Sequence, residues 1–272
     1  SKRSTLMDDG IALSDQRCET IFFDPFLKSL KNKNMLVTGT SGGGKSVFVN
    51  KIIHNLAPNH PTVILDKGGS YRRLALYHDG HVLERGFNPL QFRDPLYLRE
   101  FILSLVDQKA FCKLEQGRLL SSIKMALLSH DVQTFNDLLG SLEADFPGIG
   151  LYFEEGQEVL KGEHIPELKI VYVDVENFPK GIVAPLIIFL LEYFKRIGVE
   201  EKILVFDECW SFLKQHGSYI DECFRTFRKS GALPIAISQG LRDFSEASSD
   251  LANSITNNSY FNANTFAYAY CY

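Results

Sequence analysis

Short apolar runs bounded by glycine, proline and polar residues alternate along this chain with stretches whose apolar residues recur every three or four positions. Met35-Leu-Val37, Thr62-Val-Ile-Leu-Asp66, Leu168-Lys-Ile-Val-Tyr-Val-Asp-Val175, Ile203-Leu-Val-Phe206 and Leu233-Pro-Ile-Ala-Ile-Ser238 have the pattern of strands buried on both faces. Between them, Val49, Ile52, Ile53 and Leu56 fall at helical spacing, which predicts a helix with one buried face that Pro58 ends. A helix from Ser70 to Tyr77, an apolar helix after Pro185 and a helical stretch from about Ser218 to Lys229 continue the alternation. Strands alternating with helices predict an α/β fold with a mainly parallel, helix-covered central sheet.

From Arg93 the pattern changes. Asp94 and Pro95 stand at cap and first helical positions, and Leu98, Phe101, Ile102 and Leu105 form an amphipathic face. Leu119, Ile123 and Leu127 support a second helix, and Phe135, Leu138, Leu139 and Leu142 a third. With no convincing strand before Pro147, this stretch reads as an all-α insertion. The expected organisation is a lead-in segment at 1–33, a first part of the core at 34–93, an all-α subdomain at 94–147 and a second part of the core at 148–272. Within the lead-in, Ile21-Phe-Phe-Asp-Pro-Phe26 is the one compact apolar cluster, a short strand or approach to the core. Beyond Leu251 the signal weakens, and the tail from about Asn262 supports no assignment.

The 272 residues, 45% hydrophobic, suffice for one large α/β domain with a smaller inserted one. A net charge of −4 and a pI near 6.0 do not imply a chain built to neutralise nucleic-acid phosphates, although a local basic surface is compatible with them. Cys18, Cys112, Cys209, Cys223 and Cys271 lie far apart, an odd total without a C-x-x-C pair, which suits a reducing compartment. The histidines make no metal-ligand constellation, the closest pair, His78 and His81, flanking a turn at Asp79-Gly80. The most apolar window, from Ile182 to Leu191, falls far short of the roughly 20 residues that cross a bilayer. The chain opens at Ser1-Lys-Arg, without an initiator methionine or signal peptide, and reads as a fragment of something longer.

Chemistry first appears at Gly39-Thr-Ser-Gly-Gly-Gly-Lys-Ser46, which fits G-x-x-x-x-G-K-[ST] between a predicted strand and a predicted helix. Glycines let backbone N–H groups turn toward phosphate oxygens, and the helix aims the positive end of its dipole at the same charge. The nucleotide-binding set is therefore Gly39, Thr40, Ser41, Gly42, Gly43, Gly44, Lys45, Ser46 and Val47. Lys45 is expected to reach the β and γ phosphates of ATP, and Ser46 to hold Mg²⁺.

Ile203-Leu-Val-Phe-Asp-Glu208 supplies the complementary acids. Asp207, at the end of a buried strand, suits the Mg²⁺ shell, and Glu208 suits orienting or deprotonating the attacking water. The bland alternative is an acid pair capping the following helix. Asp174 ends a rival strand, but Val175 follows it where the second acid is needed. Asp66, before Lys67-Gly-Gly-Ser70, either touches the nucleotide site or caps the next helix. On the helix to Lys229, a buried face of Ile220, Cys223, Phe224 and Phe227 turns Arg225 and Lys229 outward and leaves Arg228 on the flank. These arginines are either fingers that neutralise charge on a neighbour's phosphate or a solvated basic face. Ser238-Gln239 ends the next strand, where Gln239 either contacts the γ-phosphate or water, or simply makes a turn.

Together these pieces resemble the TraC-like conjugative-transfer ATPases of type IV secretion systems, in the HerA–FtsK branch of RecA-like motors. The matching segments are Asp24-Pro-Phe26, the loop Gly39 to Ser46, Leu65-Asp-Lys-Gly-Gly-Ser70, Asn88-Pro-Leu90, Phe206-Asp-Glu-Cys-Trp210, Arg225-Thr-Phe-Arg-Lys229 and Ser238-Gln239. They span roughly residues 20 to 260, and Cys209 stands where the family usually has alanine. The resemblance implies a RecA-like P-loop ATPase with an all-α subdomain, working at the cytoplasmic face of a bacterial inner membrane. It further implies a homo-hexamer on the type IV secretion inner-membrane channel proteins, energising pilus assembly and substrate transfer. The family's membrane-docking N-terminal domain is not in this sequence. The resemblance favours a finger role for Arg225 and Arg228 and a catalytic role for Gln239. Rivals to this reading are a DNA-pumping coupling ATPase of the same superfamily, a nucleotide-gated assembly scaffold with little hydrolysis, and a metabolic kinase. The last is disfavoured because Glu208 and the arginine helix suit water attack and ring assembly.

Overall fold

A computed structural model describes residues 10–14, 20–28, 30, 33–106, 111–167, 169–208, 217–239 and 260–262. In chain order the strands and α-helices are β1 (Ile11–Ser14), β2 (Thr20–Phe23), β3 (Met35–Thr38), α1 (Lys45–Leu56), β4 (Thr62–Asp66), α2 (Arg72–Tyr77), β5 (His81–Val82), α3 (Pro95–Leu103), α4 (Lys113–Leu128), α5 (Phe135–Leu142), β6 (Ile170–Asp174), α6 (Lys180–Arg196), β7 (Ile203–Asp207), α7 (Gly217–Lys229), β8 (Leu233–Ser238) and β9 (Tyr260–Asn262). By their contacts the residues divide into two units, Ser1–Val82 with Lys169–Tyr172 and Gly198–Tyr272, and Leu83–Leu168 with Val173–Ile197.

The first unit is built on a sheet in the order β5-β6-β4-β7-β8-β3-β9, while β1 and β2 form a separate antiparallel pair. The β4–β7, β7–β8, β8–β3, β3–β9 and β5–β6 ladders are parallel. β3, β4, β7 and β8 are buried along their whole length, as expected of strands covered on both faces. Their register lines up Ile64, Val205, Ile235 and Met35 across the sheet, all within one apolar cluster. Each such side chain removed from water contributes about 2 kcal/mol. On α1, Phe48, Val49, Ile52 and Ile53 are buried, so the periodicity seen in the sequence is the core-facing stripe. Because β3, β4, β7 and β8 run in one direction, Thr38, Asp66, Asp207 and Ser238 end on one edge, where open α/β sheets gather ligands.

The second unit is mostly helical. Asp94 Oδ1 accepts from the backbone N–H of Leu96 at 2.9 Å and of Tyr97 at 3.0 Å, with Pro95 in the first helical position of α3. Thr134 and Asp137 make a reciprocal capping box at α5, which buries Phe135, Leu138, Leu139 and Leu142. Phe87, Phe101, Phe135, Phe153 and Phe189 pack ring on ring through this core. A 3₁₀ stretch at Ile149–Gly156, unexpected from the periodicity, packs on α5 and α6.

Several expectations shift. The apolar helix does not wait for Pro185: α6 starts at Lys180 and carries that proline inside it. The near-continuous burial over residues 182–194 outweighs one lost hydrogen bond. β6 ends at Asp174, whose Oδ1 accepts from Glu176 N–H at 3.0 Å and so caps the next turn. β1, β5 and β9 carry too little apolar pattern to announce themselves, and β9 lies in the stretch where the sequence signal had faded. Among the described residues, no helix is long and apolar enough to cross a membrane, and no cluster of three metal-ligating side chains occurs.

Candidate functional site

The loop leaves the buried end of β3 and turns on two left-handed glycines, Gly42 at φ 75° and Gly44 at φ 83°. Both angles disfavour any residue with a Cβ. Gly44 is also the N-cap of α1, and it brings no side chain to the exposed N–H groups of the first turn. A Cβ at Gly42 would meet nothing within 4 Å, so the loop is open at that position and only the φ angle calls for glycine there. Within the loop, Gly43 N–H donates to Thr40 O at 3.0 Å. Lys45 is buried, and its Nζ donates to Gly39 O at 2.8 Å and Thr40 O at 3.2 Å. The cation therefore lies along the loop's own carbonyls. Thr40, Ser41 and Val47 are exposed and Ser46 is half-buried. Asn50 Nδ2, one turn into α1, donates to Ser46 O at 2.8 Å and Ser70 O at 3.3 Å, which ties the loop to the segment after β4.

Asp207 is 5% exposed at the end of β7. Its carboxyl is pushed up to about 6, chiefly because burial disfavours the charged form. The charges of Asp66 and Glu208 add to the rise, while the hydrogen bond from Tyr71 and the charge of Lys45 oppose it. Glu208 follows with φ 54°, a left-handed backbone unusual for a residue with a side chain. That twist leaves its N–H directed at Ile237 O, 3.4 Å away on the neighbouring strand. Gln239, one residue past β8, donates from Nε2 to Glu208 Oε1 at 2.9 Å. The two strand-end residues singled out in the sequence thus meet side chain to side chain.

The residue that sequence reasoning missed is Tyr71. It is fully buried, and its hydroxyl donates to Asp207 Oδ2 at 3.0 Å. Burial first, and then the charge of Asp207, raise the tyrosine pKa well above its ordinary range, so the proton stays on the phenol. Behind it, Asp66 Oδ2 accepts from Tyr71 N–H at 3.2 Å and from Tyr172 Oη at 3.1 Å. Asp66 accordingly serves the cap residue of α2, one of its two expected roles, and it is joined to the acid pair through Tyr71. In the sequence Tyr71 passes for one apolar position of a short helix. The available signal was chemical: a buried tyrosine needs a partner for its hydroxyl, and this one stands five residues after a strand-ending aspartate.

Arg225 and Lys229 are exposed on α7, whose Cys223 and Phe227 are buried, as the helical pattern predicted. Arg228 belongs to α7, but its side chain lies outside the described residues, as do the side chains of Ile220 and Phe224 and all of Cys209, Trp210 and the tail after Asn262. Two other segments of the resemblance make local turns. Asp24 Oδ1 accepts from Phe26 N–H at 2.8 Å, and Asn88 Oδ1 from Leu90 N–H at 2.9 Å.

Solved structures share this fold. VirB4 of Thermoanaerobacter pseudethanolicus matches with a TM-score of 0.72 and 18% identity, over 93% of this chain and 83% of that one. The bacterial conjugative coupling protein TrwB, in a trigonal form with sulphate, matches with a TM-score of 0.56 and 16% identity, over 82% and 67% of the two chains. The same protein in complex with a non-hydrolysable GTP analogue gives 0.55 and 16%, over 82% and 68%. No curated protein matches the chain. The family model of the TraG P-loop domain matches residues 13–154, just over half of the 272 residues. With a phosphate loop at the edge of a parallel α/β sheet and that match along the sequence, this chain belongs to the TraG P-loop domain family.

Proposed function

We propose that this chain is the ATP-hydrolysing motor domain of a conjugative-transfer ATPase of a type IV secretion system. The observation that carries hydrolysis, beyond nucleotide binding, is the hydrogen bond from Gln239 to Glu208 at 2.9 Å, at the sheet edge that also bears the loop. It holds a carboxylate beside the Asp207 position, where a water-activating base is needed.

The residues suit a nucleotide with its divalent cation. The first turn of α1 has no side-chain cap, the loop is open at Gly42, Ser46 supplies a hydroxyl in that first turn, and Asp207 supplies a buried carboxylate at the end of β7. Gly39, Thr40, Ser41, Gly42, Gly43, Gly44 and Val47 shape the cradle, and Lys45 exchanges its loop carbonyls for phosphate oxygens. Ser46 and Asp207 are the residues that would hold Mg²⁺. When bound, that ion supplies positive charge against the developing charge of the phosphates. Glu208 orients the water and accepts its proton, and Gln239 fixes the carboxylate that does so. Arg225 or Arg228 of a neighbouring subunit in a hexamer completes the charge neutralisation. Residues 94–147 form the all-α subdomain of this motor, between core segments 34–93 and 148–272, with 1–33 as lead-in. The assembly sits on the inner-membrane channel, at the cytoplasmic face.

Lys45→Ala should abolish nucleotide binding in the full-length protein, and Glu208→Gln should abolish turnover while leaving binding intact. Unchanged hydrolysis in either variant would sink the assignment. A second reading, a DNA-pumping coupling motor, draws on the fold shared with TrwB, which is a conjugative coupling protein. DNA-stimulated hydrolysis that weakens with salt would favour it.

A further inference from the structure

Resting on the nucleotide reading above, we infer that Tyr71 is a positioning residue of the cation site, holding Asp207 in its ligand orientation through its hydroxyl. A phenol has a single proton, and here it goes to Asp207 Oδ2 at 3.0 Å. The tyrosine is itself fixed. It is 0% exposed, and its N–H is held by Asp66, which also accepts from Tyr172. A rigid phenol bonded to a prospective ligand is the arrangement by which outer-shell hydrogen bonds orient metal ligands, an effect typically worth about 10–100-fold in metal affinity.

Tyr71→Phe keeps the ring and deletes only the hydroxyl. Binding of a fluorescent ATP analogue to the full-length protein, measured in EDTA and across a Mg²⁺ titration, separates the contributions. In EDTA the variant is expected to bind within about twofold of the parent, because the loop amides and Lys45 are untouched. The Mg²⁺ concentration for half-maximal enhancement should rise about tenfold. In an Asp207→Asn background, Tyr71→Phe should have a much smaller effect, because the partner of the hydroxyl has changed. An unchanged or lowered Mg²⁺ requirement overturns the inference, a lowered one showing that the hydroxyl competes with the cation. Loss of binding in EDTA also overturns it, by making Tyr71 a general support of the fold. If the parent binds the analogue without any response to Mg²⁺, or does not bind it, the nucleotide reading itself fails, and the inference with it.

Discussion

The hydroxyl of Tyr71 and Oδ2 of Asp207 lie 3.0 Å apart across 136 positions of sequence, joining the start of α2 to the end of β7. Through this bond a loop with no acid of its own at the contact becomes part of the acid site. It also partly offsets the cost of burying Asp207, whose carboxyl is nevertheless pushed up to about 6.

That burial sets a pH dependence. With a folded pKa near 6 against an ordinary 3.8, the native state holds the Asp207 proton more tightly than the unfolded chain does. Stability therefore falls as pH rises through the window from about 4 to about 6, and above it the full cost, on the order of 3 kcal/mol, is present. In EDTA and without nucleotide, Asp207→Asn should be more stable than the parent at pH 7.5 by roughly 2 kcal/mol, part of the gain being lost to the amide's extra donors. The difference should vanish near pH 4. Urea midpoints at the two pH values check this, and a variant less stable at pH 7.5 contradicts it.

Gln239 holds the carboxylate of Glu208 and makes no described contact with the loop. Gln239→Ala should lower kcat of the full-length enzyme about tenfold, the cost of a less well-oriented base, with nucleotide affinity unchanged. A rise in KM with constant kcat would instead mean that the amide binds nucleotide directly.

Glu208 sits at φ 54°, where a side chain costs about 1 kcal/mol that glycine does not pay. Comparing Glu208→Gly with Glu208→Ala isolates this strain, since both lack the carboxylate. The glycine variant should be the more stable of the two by about 1 kcal/mol in chemical denaturation, and both should be inactive. Equal stabilities would show that the local backbone relaxes without cost.

Exposure of Arg225 on α7 is what a residue serving a neighbour requires. Arg225→Ala should leave nucleotide binding intact and cut hydrolysis by the assembled protein about a thousandfold, as removal of such a finger does. Mixing Arg225→Ala subunits with Lys45→Ala subunits should restore part of the activity, because some sites then pair an intact loop with an intact arginine. If mixtures stay inactive while Arg228→Ala subunits complement, the finger is Arg228.

Much of the fold was legible because it is local. The runs at β4 and β8, the capped start of α3 and the four-residue buried face of α5 follow from strand and helix periodicity and from side chains that bond backbone two or three positions away. Glycine punctuation likewise announced the loop, since two of its positions need φ values that other residues avoid. Pro185 misled because a local helix breaker was weighed without the burial that overrides it.

What the sequence determined by itself is the presence of a phosphate loop, an acid pair at a strand end and an outward-facing arginine, each encoded within a few neighbouring residues. Only the tertiary structure decided which groups meet. Parallel pairing of β4, β7, β8 and β3 brings their carboxyl ends to one edge, so that Gln239 finds Glu208 and Tyr71 finds Asp207. Asp174 and Asp207 look alike as strand-ending acids, yet one caps its own next turn and the other is buried against a tyrosine. Such partners are chosen by the need to satisfy polar groups where strands from distant parts of the chain come together, and no local pattern records that choice.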